Sequence, residues 1–172
     1  SLYLATGSSD RSCRLWDVQR GACVRLFVGH QSPISCLRIS SDGRYLASAS
    51  DGNASIKFGQ TRRSSADAYT VSLWDLASGR RIKKMWGHTS TIHDMDFSAD
   101  GAVLVTGSAD NTVRCWDVRT AQESPSGEAD ASSDCVATYF TKNTPAHSVH
   151  FSPRNLCLAA GVYSASVSYT HL

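Results

Sequence analysis

The clearest pattern of apolar and polar positions lies between Met85 and Asp117. Ile92, Met95 and Phe97 are apolar in an otherwise polar run, Ala99-Asp100-Gly101 supplies turn residues, and Val103 to Ser108 is again apolar or small. A second turn at Ala109-Asp110-Asn111 leads into Thr112 to Asp117. Short runs of this composition, separated by Asp-Gly and Asp-Asn pairs, predict antiparallel strands joined by hairpins. The order recurs at Ile34 to Ile39, Ser41-Asp42-Gly43 and Tyr45 to Ser50. Small residues crowd the second strand of each unit (Ala5-Thr6-Gly7-Ser8, Ala47-Ser48-Ala49-Ser50, Thr106-Gly107-Ser108), which predicts close packing of one sheet on the next. The chain reads as nearly all β, with no helix.

Dipeptides mark the same units. Trp-Asp pairs stand at Trp16-Asp17, Trp74-Asp75 and Trp116-Asp117, and Gly-His pairs at Gly29-His30 and Gly87-His88. Asp75 and Asp117 are 42 residues apart, and His88 and Trp116 are 28 apart. A period near 42 residues, opened by Gly-His and closed by Trp-Asp, is the pattern of a WD40-repeat β-propeller with four antiparallel strands per blade. The expected fold is all-β, a partial propeller of about three to four blades from a ring usually of about seven. Such a part would leave strand edges open, an aggregation risk.

The units are expected at about residues 1–17, 18–75 and 76–117, with a degenerate one at 118–163. The first starts inside a repeat, without its first strand and without an initiator Met. The second is lengthened: Asp10 to Trp16 and Asp110 to Trp116 each span six residues, whereas Asp51 to Trp74 spans 23. About 17 residues, near 53–69, are therefore inserted, and they include Arg62-Arg63-Ser64-Ser65. A tolerated surface loop is the first reading, and a partner-binding or phosphorylated loop the second. Thr120 to Asp134 is a Ser-, Asp- and Pro-containing loop, and Val136 to Phe140 restores an outer strand. Thr141-Lys142 then replaces Gly-His, and no Trp-Asp follows. Tyr169-Thr170-His171-Leu172 matches nothing upstream, and the tail at 164–172 is expected to be non-native or a frayed natural terminus.

Composition narrows the function. With 17 Lys and Arg against 15 Asp and Glu, the net charge is only +2 and the basic residues are scattered, so sequence-specific nucleic acid and anionic membranes are not expected partners. No apolar run approaches the ~20 residues of a membrane span. Six cysteines stand singly with no Cys-x-x-Cys pair, which points to reduced, mostly buried thiols in a cytosolic or nuclear protein.

The repeated residues suggest chemistry only superficially. His88, Thr106, Asp110 and Trp116, and likewise His30, Ser48, Asp51 and Trp74, are expected to form buried hydrogen-bond sets inside the blades. Asp51 is the doubtful member, because the insertion follows it directly. A hydroxyl, an imidazole and a carboxylate resemble a catalytic triad, but the set recurs and no oxyanion hole is signalled. The degenerate unit has Ala160 where the hydroxyl would stand. His147-x-x-His150 has a spacing found in metal sites, yet residues three apart on an alternating strand face opposite sides, so chelation by that pair is not expected. No catalytic residues, metal, cofactor or small-molecule substrate are expected. Surface protein binding remains, with Arg62, Arg63 and Arg119 as candidate partner contacts.

The WD-repeat resemblance covers about residues 2–161. A narrower resemblance rests on Thr141-Lys142-Asn143-Thr144-Pro145 and the run Val149 to Ser164, which look like the C-terminal end of the WD-repeat TBP-associated factors of TFIID, shared with SAGA-type coactivators in some lineages. Tyr3 to Asp10 and Cys23 to His30 are similar to earlier blades of that family. The resemblance implies a nuclear, non-enzymatic scaffold that packs against histone-fold TBP-associated factors and helps assemble the RNA polymerase II preinitiation complex. It also implies an N-terminal helical dimerisation or LisH-containing region that these residues do not include. The insertion near 53–69 and the tail depart from that family's pattern. The alternative is a substrate receptor of a cullin-RING ubiquitin ligase, because Trp116-Asp117-Val118-Arg119 resembles the box that docks such propellers onto the ligase adaptor. Arg119 as a solvated strand-end residue is the plainer account.

Overall fold

The computed structural model describes residues 2–52, 69–119 and 135–161. The expectations for the insertion with Arg62 and Arg63, for the loop at 120–134 and for the tail at 164–172 fall outside the described residues.

Thirteen strands are described, and they form four sheets. The first sheet joins β1 (Tyr3–Gly7), β2 (Ser12–Asp17) and β3 (Ala22–Val28). The second joins β4 (Ile34–Ile39), β5 (Tyr45–Ser50), β6 (Thr70–Asp75) and β7 (Arg81–Trp86). The third joins β8 (Ile92–Phe97), β9 (Val103–Ser108), β10 (Thr112–Asp117) and β11 (Cys135–Phe140). The fourth joins β12 (Ala146–Phe151) and β13 (Cys157–Gly161). All ladders are antiparallel, with sequence neighbours paired, as short hairpins require.

Turn chemistry sets the hairpins. Asp42 and Asp100 each accept from a serine hydroxyl two residues earlier, Ser40 at 2.5 Å and Ser98 at 2.6 Å, and from a backbone N–H two residues later. Gly43 and Gly101 follow at φ 70 and 67, in the left-handed region. The degenerate fourth sheet puts Asn155 there, at φ 57, a residue whose short amide tolerates that conformation.

The sequence repeat and the sheet are offset by one strand. The segments before Gly29-His30 and Gly87-His88 are β3 and β7, and each is the outer strand of the sheet that precedes it in the chain. Each repeat thus contributes to two sheets.

Core residues lie between sheets. Cys13, Leu15 and Phe27 of the first sheet meet Leu46 and Trp74 of the second. Tyr45, Ala47, Ala49, Val71, Leu73 and Met85 of the second meet Ile92, Met95, Phe97, Leu104, Trp116 and Val118 of the third. Val105 and Val113 of the third meet Ala146 and Val149 of the fourth. Strand β5 is buried along its whole length because both of its faces are covered: Leu46 faces one neighbour, Tyr45, Ala47 and Ala49 the other. The sheet edges β4, β8 and β12 lie against one another in order, with β1 against β4. Face-to-face sheets with their first strands gathered on one line are consecutive blades of a partial β-propeller.

Small residues set the spacing. A Cβ on Gly107 would lie 2.9 Å from Val149 Cγ1, 3.1 Å from Ala146 Cβ and 3.2 Å from Ala146 O. Gly107→Ala is expected to destabilise the chain by about 1–3 kcal/mol, the usual cost of overpacking. A urea midpoint unchanged from wild type would show that the third and fourth sheets are not held this close.

The exposed large hydrophobics gather on the flanks: Leu2, Leu4, Leu26 and Val28 on the first sheet, Tyr139 and Phe140 on β11, and Leu156 and Leu158 on the fourth sheet. None of the exposed large hydrophobics belongs to the second sheet, which is covered on both faces. The flanks carry the apolar faces that a neighbouring sheet covers elsewhere in the molecule.

Candidate functional site

In the third sheet, His88 is buried between two partners. Its Nε2 lies 2.7 Å from Thr106 Oγ1, and its Nδ1 lies 2.8 Å from Asp110 Oδ2. Trp116 Nε1 donates to the same Thr106 Oγ1 at 2.9 Å. Since Asp110 can only accept, the consistent assignment gives His88 a proton on Nδ1, and Thr106 donates to Nε2. The chain runs from indole to hydroxyl to imidazole to carboxylate. Asp110 also accepts from the backbone N–H groups of Thr89 and Thr112 and from the Thr112 hydroxyl at 2.6 Å. Burial pushes its carboxyl up, but these donors together hold it well below the usual carboxylate range.

The second sheet repeats part of this. His30 Nε2 lies 2.7 Å from Ser48 Oγ, and Trp74 Nε1 donates to Ser48 Oγ at 2.8 Å. Asp51 follows β5 directly, and its carbonyl accepts from the Thr91 hydroxyl of the third sheet. Burial, with help from the nearby charges of Arg81 and Lys84, pushes the His30 imidazole down to about 4. A third pairing of this kind, missed in the sequence reading, joins Trp16 Nε1 to Thr6 Oγ1 at 2.9 Å. Its signal was present: Thr6 precedes Trp16 by ten residues, as Thr106 precedes Trp116.

These groups do not assemble a nucleophile. Thr106 is fully buried, its oxygen accepts from an indole, and its proton is held by His88. A nucleophile needs an exposed lone pair and a base that is free to change charge.

A second set of contacts stitches the inner strands, and sequence reasoning missed it. Arg38 of β4 donates to Met95 O of β8 at 2.9 Å and lies 3.5 Å from Asp94 and 3.9 Å from Asp96. Asp94 and Asp96 in turn accept from the backbone N–H groups of Val149 and Phe151 in β12, at 3.1 and 2.8 Å. Asp94 also accepts from Ser148, and Asp96 lies 2.6 Å from His150 Nδ1. The hint in the sequence was charge at alternate positions of strands whose other face is apolar.

The expectation that His147 and His150 face opposite sides is corrected. The β12 to β13 register shifts between Ala146 and Ser148, and that bulge breaks the alternation: Ala146 and Val149 are both buried while His147 and His150 are both exposed. Even so, His147 does not join His150. Its ring lies against His93 of β8, with centroids 4.7 Å apart. The thiol expectation is also corrected: only Cys13 is buried, Cys23 and Cys157 are exposed, and the other three are half-buried. Strands β3, β11 and β13 lie at sheet edges or in the incomplete fourth sheet, where little covers them.

At the rim, Arg119 Nη2 pairs with Asp100 Oδ2 at 2.8 Å, both well exposed. Arg44, Asp42 and Arg119 line a cleft of about 550 Å³ between the second and third sheets. Water screens such an exposed pair, so Arg119 is available to a partner at little cost.

The family model described as "WD domain, G-beta repeat" matches residues 1–17, 21–56 and 79–117, more than half of the chain. This chain belongs to the WD40 repeat family. Among its relatives, Transcription initiation factor TFIID subunit 5 of Caenorhabditis elegans is 30% identical over 94% of this chain and 24% of its own length. The nuclear distribution protein nudF of Aspergillus niger is 29% identical over 67% of this chain and 27% of its own. A guanine nucleotide-binding protein subunit beta of Oryza sativa subsp. japonica is 34% identical over 70% of this chain and 29% of its own. The chain thus spans roughly a quarter of the length of these relatives. WD40 proteins are generally non-catalytic scaffolds that mediate protein–protein interactions, and the sheets of this WD40 chain pack on one another through buried side chains. Among its described residues no helix is long and apolar enough to cross a membrane, and no group of three His, Cys, Asp or Glu is placed to hold a metal ion.

Proposed function

We propose that this WD40 chain is a nuclear, non-catalytic scaffold within a TFIID-type complex, supporting assembly of the RNA polymerase II preinitiation complex through contacts with histone-fold TBP-associated factors and other TFIID or SAGA-type subunits. The observation that carries the reading is the extent of the match. The similarity to TFIID subunit 5 runs over 94% of the chain, whereas those to the nuclear distribution protein and the G-protein subunit stop at 67% and 70%. Such extent takes in the degenerate fourth sheet, whose Thr141-Lys142 and Val149 to Gly161 set it apart from a regular repeat. Blade packing supports it physically: hydrogen-bond sets hold the sheets rigid, and the rims are left to present contacts.

The test is affinity purification of the tagged chain from nuclear extract. Histone-fold TBP-associated factors are expected in the eluate, and Arg119→Ala should leave them there. Recovery of a cullin adaptor instead, lost on Arg119→Ala, would replace this reading with that of a ubiquitin-ligase substrate receptor.

A further inference from the structure

The described histidines divide into two groups. His30, His88 and His150 spend ring nitrogens on Ser48, on Thr106 and Asp110, and on Asp96. His93 and His147 have no hydrogen-bond partner among the described residues, and these two rings are in contact, centroids 4.7 Å apart and planes inclined at 33°. Here two imidazoles with unspent lone pairs are brought together from strands of different sheets.

Their placement is built into the fold. The β8 to β9 register shifts between Ile92 and Asp94, and the β12 to β13 register shifts between Ala146 and Ser148. Each bulge falls on the histidine. In each strand the residue before the bulge and the second residue after it, Ile92 and Met95, Ala146 and Val149, are buried, while the bulged histidine between them is not. The strands are held side by side by Asp94 on Val149 N–H and Asp96 on Phe151 N–H. The pair is therefore positioned by backbone, and it is reachable from solvent, since His147 is exposed and His93 half-buried.

We propose that His93 and His147 form an open two-histidine site for a late first-row divalent cation of the zinc, nickel or copper kind, with water in the remaining coordination positions. Imidazole suits these ions, and hard cations such as Mg²⁺ and Ca²⁺ prefer oxygen donors. Since no third His, Cys, Asp or Glu completes the set among the described residues, the site is not a closed structural zinc site. A bound ion would clip β8 to β12, tying the two-stranded fourth sheet to the third.

The experiment adds Ni²⁺ alone to the 172-residue chain, with Cys23 and Cys157 changed to Ser so that exposed thiols do not compete. A saturable rise in Tm and a saturable calorimetric isotherm are expected. With Cu²⁺, the electron paramagnetic resonance spectrum should show hyperfine structure from two imidazole nitrogens. His147→Ala and His93→Gln should each abolish the Tm rise and reduce the nitrogen coupling to one ring, while His150→Ala keeps both signals. All three positions are solvent-accessible, so folding in the absence of metal is checked by circular dichroism, and the nitrogen count in His147→Gln provides a second reading of the same ligand. No Tm rise at millimolar Ni²⁺, or binding that survives His147→Ala unchanged, would overturn the assignment and leave the rings as a simple stacked pair.

Discussion

Trp116→Ala is expected to lower the stability of the chain by about 3–5 kcal/mol, the range for removing a fully buried large aromatic. The side chain is 1% exposed and packs in the core between the second and third sheets. Its indole N–H also donates to Thr106 Oγ1, the hinge of the chain that continues through His88 to Asp110. Two losses therefore combine, a cavity and one of the hydrogen bonds to the buried Thr106 hydroxyl, which keeps His88 as its partner. Small domains are stable by only about 5–15 kcal/mol, so this substitution is expected to unfold a large fraction of the chain at 37 °C. Trp116→Phe separates the two effects, since it keeps most of the ring but removes the donor, and about 0.5–1.5 kcal/mol is expected for the lost hydrogen bond. Urea unfolding followed by far-ultraviolet circular dichroism measures both. A Trp116→Ala midpoint close to wild type would mean that this tryptophan does not hold the sheets together.

The second large effect is on acid stability. The folded His30 imidazole titrates at about 4, against about 6.5 when the chain is unfolded. A depressed histidine is neutral in the folded state, so between those values the unfolded chain binds the extra proton. Stability from this group is complete above about pH 6.5 and declines as the pH falls towards 4, by about 3 kcal/mol in all. The His93 imidazole is also pushed down, by burial and then by His147, so the measurement is a difference: ΔG of unfolding against pH for wild type and for His30→Gln. The wild-type curve should fall more steeply between pH 6.5 and 4. Parallel curves would show that His30 is not desolvated as the packing of Ser48 and Trp74 implies.

Much of this fold was legible in the chain because strand alternation and turn residues are local. Val103 to Ser108 and Thr112 to Asp117 were marked by Asp-Gly and Asp-Asn punctuation, and they fold as β9 and β10. The small residues of β5 and β9 announced close sheets, and Gly107 meets Val149 and Ala146 as such packing requires. Faces were harder to read. His147 and His150 were assigned to opposite sides by strict alternation, and a single bulged residue reversed that. The cysteines were expected mostly inside, but Cys23 and Cys157 fall on strands with an open face. The third tryptophan–hydroxyl pair, Thr6 with Trp16, was readable from spacing alone.

By itself the sequence determined the unit: four short strands, their turns, and a hydroxyl, imidazole, carboxylate and indole at a repeated spacing. These follow from backbone preference and side-chain period, which act over a few residues. Only the tertiary structure decided which unit touches which. Asp94 and Asp96 reaching the backbone of β12, Arg38 reaching that of β8, and His93 meeting His147 depend on the placement of separate sheets beside one another. That placement is set by buried faces and bulges acting across more than 50 residues of chain, a distance over which no local pattern carries information.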